Sequence, residues 1–316
     1  MSAFQAMGIS RQILLRASRS KWVGRQFQQR AFARRASRRF LPGEDLDSAL
    51  AAAAEFSDRG IASLLTLLGE NVNTHSEAEA VTRQYLSALT AITERGLDCQ
   101  LSVKPTQLGM DLEGEVCPEQ LDTLMAEASK SGDLVWVDME SSAYVDKTLD
   151  LVERAGAAHG NGGVCVQAYL YRTKDDVERL IRLGIPVRLV KGAYSEPPSL
   201  AMQKKRDVDA NYLALAERCL QVASTGKGGF VAFGTHDMGL IARIQDAANE
   251  IGVSKELYEF EMLYGIGREH QNRLASEGHL VRVLISYGPD WFPWYMRRLA
   301  ERPANVWFVV RSLIAR

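Results

Sequence analysis

The chain has 316 residues, 46% hydrophobic and 24% charged, a globular composition long enough for one large or two ordinary domains. No run approaches the roughly eighteen uninterrupted apolar residues of a membrane span, and Cys99, Cys117, Cys165 and Cys219 lie too far apart for zinc or a secreted disulfide framework, so a reducing cytoplasm fits best. The net charge of -1 hides an asymmetry: residues 1–40 hold ten basic and no acidic residues, leaving 28 basic against 39 acidic in the remainder.

The first forty residues read best as a basic N-terminal helical arm folded against the acidic body. Their Arg-rich, acid-free composition is also that of a mitochondrial transit peptide, the less favoured reading. Phe4, Trp22, Phe27 and Phe32 among the charges suit peripheral contact with anionic lipid as well. No nucleic-acid-binding motif is present.

After Gly43, amphipathic helices alternate with short apolar runs, and no linker or low-complexity break divides them. Helices are expected at 45–59, ending at Gly60, and at 76–95, ending at Gly96. Strands are expected at 61–68, 99–104, 134–139, 164–170, 187–192, 230–235, 257–263 and 280–286. Short runs of Val, Leu and Ile, each followed by a helical stretch, are the pattern of a parallel sheet with helices outside it. Eight such units in about 250 residues predict an α/β fold of the (βα)8 TIM-barrel type, and no G-x-G-x-x-G opens a doubly wound alternative. The expected division is arm and helices over 1–60 and one catalytic barrel over 61–316.

In such a barrel the chemistry lies at the C-terminal strand ends. There the predicted strands present Lys104, Asp138, Gln167, Arg188, Lys191, Gly192, Tyr194, Thr235, His236, Asp237 and Glu261. A polar ring rich in Lys and Arg suits an anionic ligand, or a cofactor with phosphates and an electron-rich ring. Further on, Asp290 caps a predicted helix in DWFPWYMRRLAERPAN, Pro293 suits its first turn and Pro303 stops it. Arg297, Arg298 and Glu301 then share one face, where Glu301 braces two guanidiniums as a clamp for a small carboxylate.

RLVKGAY at 188–194, GTHD at 234–237, EFEMLYG at 259–265 and MRRLAERPAN at 296–305 resemble the proline dehydrogenases over about residues 40–316. The likeness extends to the small bacterial enzymes and to the corresponding domain of bifunctional proline-utilisation flavoproteins. It implies a distorted (βα)8 barrel that binds FAD, oxidises L-proline to Δ1-pyrroline-5-carboxylate and passes electrons to membrane quinone. It also implies a carboxylate clamp of Lys104, Arg297 and Arg298, with Asp138 and Glu301 as acidic partners. Flavin contacts are implied at Gln167, Arg188, Val190, Lys191, Gly192, Thr235 and His236, and apolar contacts to the substrate ring at Ala193 and Leu263. These assignments are chemically reasonable: Arg188, helped by Lys191, would stabilise negative charge on a reduced flavin, and Gly192 lets backbone approach a flat ring.

The chain departs from the family pattern at four positions. Leu284 and Ser286 stand on strand eight where tyrosine and usually proline are found, and Phe292 and Trp294 stand where tyrosine is common. The pocket wall near Leu284 and Trp294 therefore changes shape, and ring preference is expected to run from proline to 4-hydroxyproline or another cyclic amino acid. Asp138, Glu261 and His236 are all open as the base. Two rival classes are a Schiff-base lyase using Lys104 or Lys191, and a flavin- or imino-acid-binding protein without turnover.

Overall fold

The computed structural model describes residues 38–226, 229–292 and 295–296. Residues 1–37, and with them nearly all of the basic arm, lie outside this range, as do Trp294, Arg297, Arg298 and Glu301. The elements run α1 (Leu46–Ser57), β1 (Ala62–Leu67), α2 (His75–Arg95), β2 (Cys99–Val103), α3 (Val116–Ala128), β3 (Val135–Val137), α4 (Val145–His159) and β4 (Gly162–Gln167). They continue with α5 (Thr173–Arg182), β5 (Val187–Val190), α6 (Lys205–Ala223), β6 (Val231–Gly234), α7 (Met238–Ile251), β7 (Tyr258–Leu263), α8 (Arg268–Ser276) and β8 (Leu280–Tyr287).

The eight strands pair in sequence order into a closed barrel, every pairing parallel. Closure is between β1 and β8, in register from Ala62 opposite Arg282 to Leu67 opposite Tyr287. The architecture is the expected (βα)8 barrel, and each predicted strand overlaps an observed one. The ends differ by a few residues.

Local chemistry sets several boundaries. Thr74 and Glu77 form a reciprocal capping box at the start of α2, and Gly96, at φ 61, ends it. Asp237 caps α7, accepting from the amides of Gly239 and Leu240. Outward-facing strand residues pack beneath the helices in one large core. Leu64, Trp136 and Ala232 form a second, smaller cluster, with Leu134, Phe230 and Leu284 against it. Leu64, Trp136 and Ala232 come from the non-adjacent strands β1, β3 and β6 and meet inside the barrel. Trp136 fills the middle because Gly163 has no side chain: a Cβ there would lie 2.6 Å from the indole Cε3.

Polar layers lie below and above this plug. At the N-terminal end Arg282 Nε donates to both oxygens of Glu259 at 3.0 and 3.1 Å, and its Nη1 donates to Ser63 O at 3.0 Å and Asp98 Oδ1 at 2.9 Å. A cavity of about 530 Å³ opens at this end, lined by Asp98, Gln100, Phe230, Glu259 and Arg282. Residues 39–44 pass the C-terminal ends of β7 and β8: Arg39 O lies against Gly265, and Gly288 N donates to Glu44 O at 2.9 Å. No helix among the described residues is long and apolar enough to cross a membrane.

Candidate active site

Residues of β2, β3, β5 and β7 and of the turns that follow bring four ionisable side chains together. Arg188, 3% exposed on β5, is the centre. Its Nη2 donates to Ser102 Oγ at 2.8 Å and makes a very short bond to Asp138 Oδ1, while its Nη1 lies 3.4 Å from Glu261 Oε2. Its guanidinium stands 5.3 Å from the Trp136 ring centroid, so the plug is also the floor of the site. Burial works against the Arg188 charge, but the acidic groups packed around it outweigh that and hold the guanidinium firmly protonated.

Lys104, one residue beyond β2, reaches the same group from above. Its Nζ lies 3.7 Å from Asp138 Oδ2 and 3.4 Å from Thr66 Oγ1. Asp138 thus bridges Lys104 and Arg188 while accepting from Ser102 Oγ at 2.8 Å. The sequence reading paired Asp138 with the arginines of the last helix; its partners among the described residues are these.

Gln167 closes the next side. Its Nε2 donates to Met139 O and Glu140 O, both at 3.2 Å, and its buried Oε1 has no hydrogen-bond partner among the described residues. Glu140, absent from the sequence-based set, accepts from Thr106 N at 2.9 Å and Thr106 Oγ1 at 2.7 Å. Burial pushes its carboxyl up, against those two bonds. Ser102 and Thr66 were likewise missed, because a hydroxyl within a strand has no signal until its cross-barrel partner is known.

Lys191 belongs to a separate network. Its Nζ donates to Asp209 Oδ1 at 2.5 Å and Asp237 Oδ2 at 2.9 Å, and Lys205 bonds the same two acids. The hydrogen bond from Lys191 is the main reason the Asp237 carboxyl is held far below its ordinary range. His236 Nε2 accepts from Leu263 N at 3.2 Å, so that nitrogen's lone pair is already engaged. Thr235, 6% exposed, donates its amide to Glu261 O, and its Oγ1 accepts from Asp237 N. Gly192 has φ +106, and a Cβ there would run into the Tyr169 ring, so an aromatic face of the protein itself already requires glycine.

The apolar candidates divide. Val190, Leu263 and Leu284 are half-buried, and Leu263 pairs with Leu284 across β7 and β8 as one wall. Ala193 is exposed. Of the aromatics near the C-terminus, Trp291, Phe292 and Tyr295 are buried and pack on one another, with Tyr295 also against Phe40 and Trp291 Nε1 bonded to Glu44.

A closed parallel barrel with a buried charge cluster at its C-terminal strand ends is the architecture of a barrel enzyme. The particular family follows from comparison with known proteins. The family model described as proline dehydrogenase matches residues 49–311. Proline dehydrogenase 1 of Bacillus subtilis subsp. natto is 34% identical over 304 residues, covering 96% of this chain and 99% of that protein. The proline dehydrogenase of Deinococcus radiodurans is 35% identical over 283 residues, covering 87% and 89%. Among solved structures, proline utilization A from Bdellovibrio bacteriovorus superposes with a TM-score of 0.77 at 23% identity, over 84% of this chain and 32% of that one. The chain belongs to the proline dehydrogenase family.

Proposed function

We propose that this protein oxidises L-proline to Δ1-pyrroline-5-carboxylate, using FAD held at the C-terminal mouth of the barrel and a quinone as the final electron acceptor. The observation that carries the reading is the Lys104–Asp138–Arg188 cluster at the strand ends of a chain with this family membership.

The residues present suit a flavin. Gln167 Oε1 is a buried acceptor awaiting a donor, and an isoalloxazine imide N–H is such a donor. Arg188 supplies a fixed cation beside the mouth, where a ring gaining negative charge needs one. Val190, Gly192, Thr235 and His236 line the adjoining strand ends and complete the proposed cofactor set, with Lys191 at its rim. FAD, when bound, supplies the acceptor for the hydride leaving the substrate carbon next to nitrogen.

The chain's own residues do the rest. Lys104, with Arg297 and Arg298 as proposed partners, grips the substrate carboxylate, and Glu301 braces the arginines. Asp138 keeps Lys104 and Arg188 at fixed separation, so the grip is preorganised. Leu263 and Leu284, with Ala193 and Trp294 proposed beside them, present an apolar wall to the ring carbons. A wall without a tyrosine hydroxyl at 284 favours an unsubstituted ring, hence proline ahead of 4-hydroxyproline.

Purified protein is expected to show an oxidised-flavin spectrum that bleaches on anaerobic addition of L-proline and recovers with a soluble quinone. A colourless protein that still binds proline would refute the cofactor; a yellow one that no cyclic amino acid bleaches would refute the activity.

A further inference from the structure

Among the described residues three glutamates are buried around the barrel, Glu140, Glu259 and Glu261, and their surroundings differ. Glu140 takes two hydrogen bonds from Thr106, and Glu259 takes two from Arg282. Glu261 has one long contact, 3.4 Å from Arg188 Nη1, on a guanidinium whose other terminal nitrogen is committed to Asp138 and Ser102. No donor reaches its Oε1 among the described residues. An ionised carboxylate has several lone-pair sites to satisfy, and burying it with one weak donor is costly. A neutral carboxylic acid instead has a proton to give, and the Glu259 carboxylate two residues away on the same strand favours that form.

We propose that Glu261 carries a proton under ordinary working conditions, so that Lys104, Arg188 and Asp138 keep one unmatched positive charge at the mouth, and that this charge sets the site's affinity for an anionic ligand. The identity of that ligand as a cyclic amino acid's carboxylate rests on the function proposed above. Within this group of four, two cations, one anion and one neutral acid leave one net positive charge, which an ionised Glu261 would remove.

Charged and titratable groups face Glu261 from several elements. They are Arg188 on β5, Glu259 on its own strand, Arg282 on β8, Asp138 and Lys104 beyond Arg188, Cys165 on β4 and Tyr212 on α6. Burial, which Arg188 only partly offsets, pushes Glu261 up to about 8. Burial likewise pushes the Cys165 thiol up to about 11 and the Tyr212 hydroxyl well above its ordinary value. The extra positive charge is therefore present below about pH 8 and lost as pH rises through it.

The test uses the flavin-loaded full chain and tetrahydrofuran-2-carboxylate, which has the five-membered ring and the carboxylate but no amine to titrate. Calorimetric Kd values measured on both sides of pH 8 are expected to weaken by roughly ten-fold on the alkaline side, the scale for losing one charge several ångströms away. In Glu261→Gln the affinity should stay at the low-pH value across the window. An alkaline loss that persists in Glu261→Gln, or wild-type binding with no loss, overturns this inference alone. No binding of the carboxylate at any pH overturns the proposed function and this inference with it. Should the variant fail to fold, infrared difference spectra of the wild type across the same window decide: a protonated-carboxyl band must vanish on the alkaline side, and its absence refutes the proton on Glu261.

Discussion

Arg188 is held by acids from strands on two sides of the barrel, Asp138 after β3 and Glu261 on β7, while Trp136 lies against its guanidinium. Removing a buried cation leaves its partner acid short of compensation, a loss of about 3 to 5 kcal/mol. Arg188→Met is expected to lose that much in urea denaturation along with its activity; unchanged stability would mean Asp138 is satisfied by Lys104 and Ser102 without it. The pH dependence of stability carries a second signature. The folded protein raises Glu261 to about 8, so the stability it contributes is complete below the unfolded glutamate value of about 4.3 and drains away as pH rises to about 8. Compared with wild type, Glu261→Gln should therefore gain thermal stability progressively over that interval. Parallel Tm profiles for the two proteins would argue against a raised Glu261. Lys104, Asp138 and Arg188 were all legible as strand-end residues, but Ser102, Thr66 and Glu140 were not. A serine or threonine inside an apolar run looks the same whether it faces a helix or an aspartate across the barrel.

Elements were legible wherever local physics decided them. The Thr74–Glu77 capping box and Gly96 bound α2 within a residue of the expected helix, since cap and left-handed stop act over a few positions. Strand ends were less so: β3 is three residues long, and its expected run of 134–139 includes Asp138, which has already turned to bond Arg188. The pairing of Gly163 with the Trp136 ring shows how one element shapes another. Adding a methyl group there pushes on an indole that also supports Arg188, and overpacking of this kind costs about 1 to 3 kcal/mol. Gly163→Ala should lower the unfolding free energy measured by urea denaturation by that amount and also raise KM for proline, because the floor of the site moves. A stability loss with unchanged KM would separate the plug from the site.

At the scale of the whole molecule, the barrel separates a face that holds it shut from a face that does chemistry. Arg282 joins β8 to Glu259 on β7, to Ser63 on β1 and to Asp98 ahead of β2, spanning the closing seam at the N-terminal end. Arg282→Leu leaves Glu259 buried and unpaired, so a loss of about 3 to 5 kcal/mol is expected, with KM for proline little changed. A large rise in KM would show that the two faces are coupled through the plug. The segment 39–44 ties the other end, through Gly288 and Trp291, to the chain that leaves β8.

The sequence by itself determined the eight alternating strands and helices, the glycine that stops α2 and the identity of the strand-end charges, because periodicity, helix stops and chain order are local properties. Its motifs also carried the family. Only the tertiary structure decided that Arg188 meets Glu261 across 73 residues of chain and Ser102 across 86, that Lys191 is engaged by Asp209 and Asp237, and that, of the three glutamates buried among the described residues, Glu261 is the one left with a single weak donor. Closing a sheet into a barrel makes neighbours of residues from distant strands, and their charges depend on which partners burial leaves them.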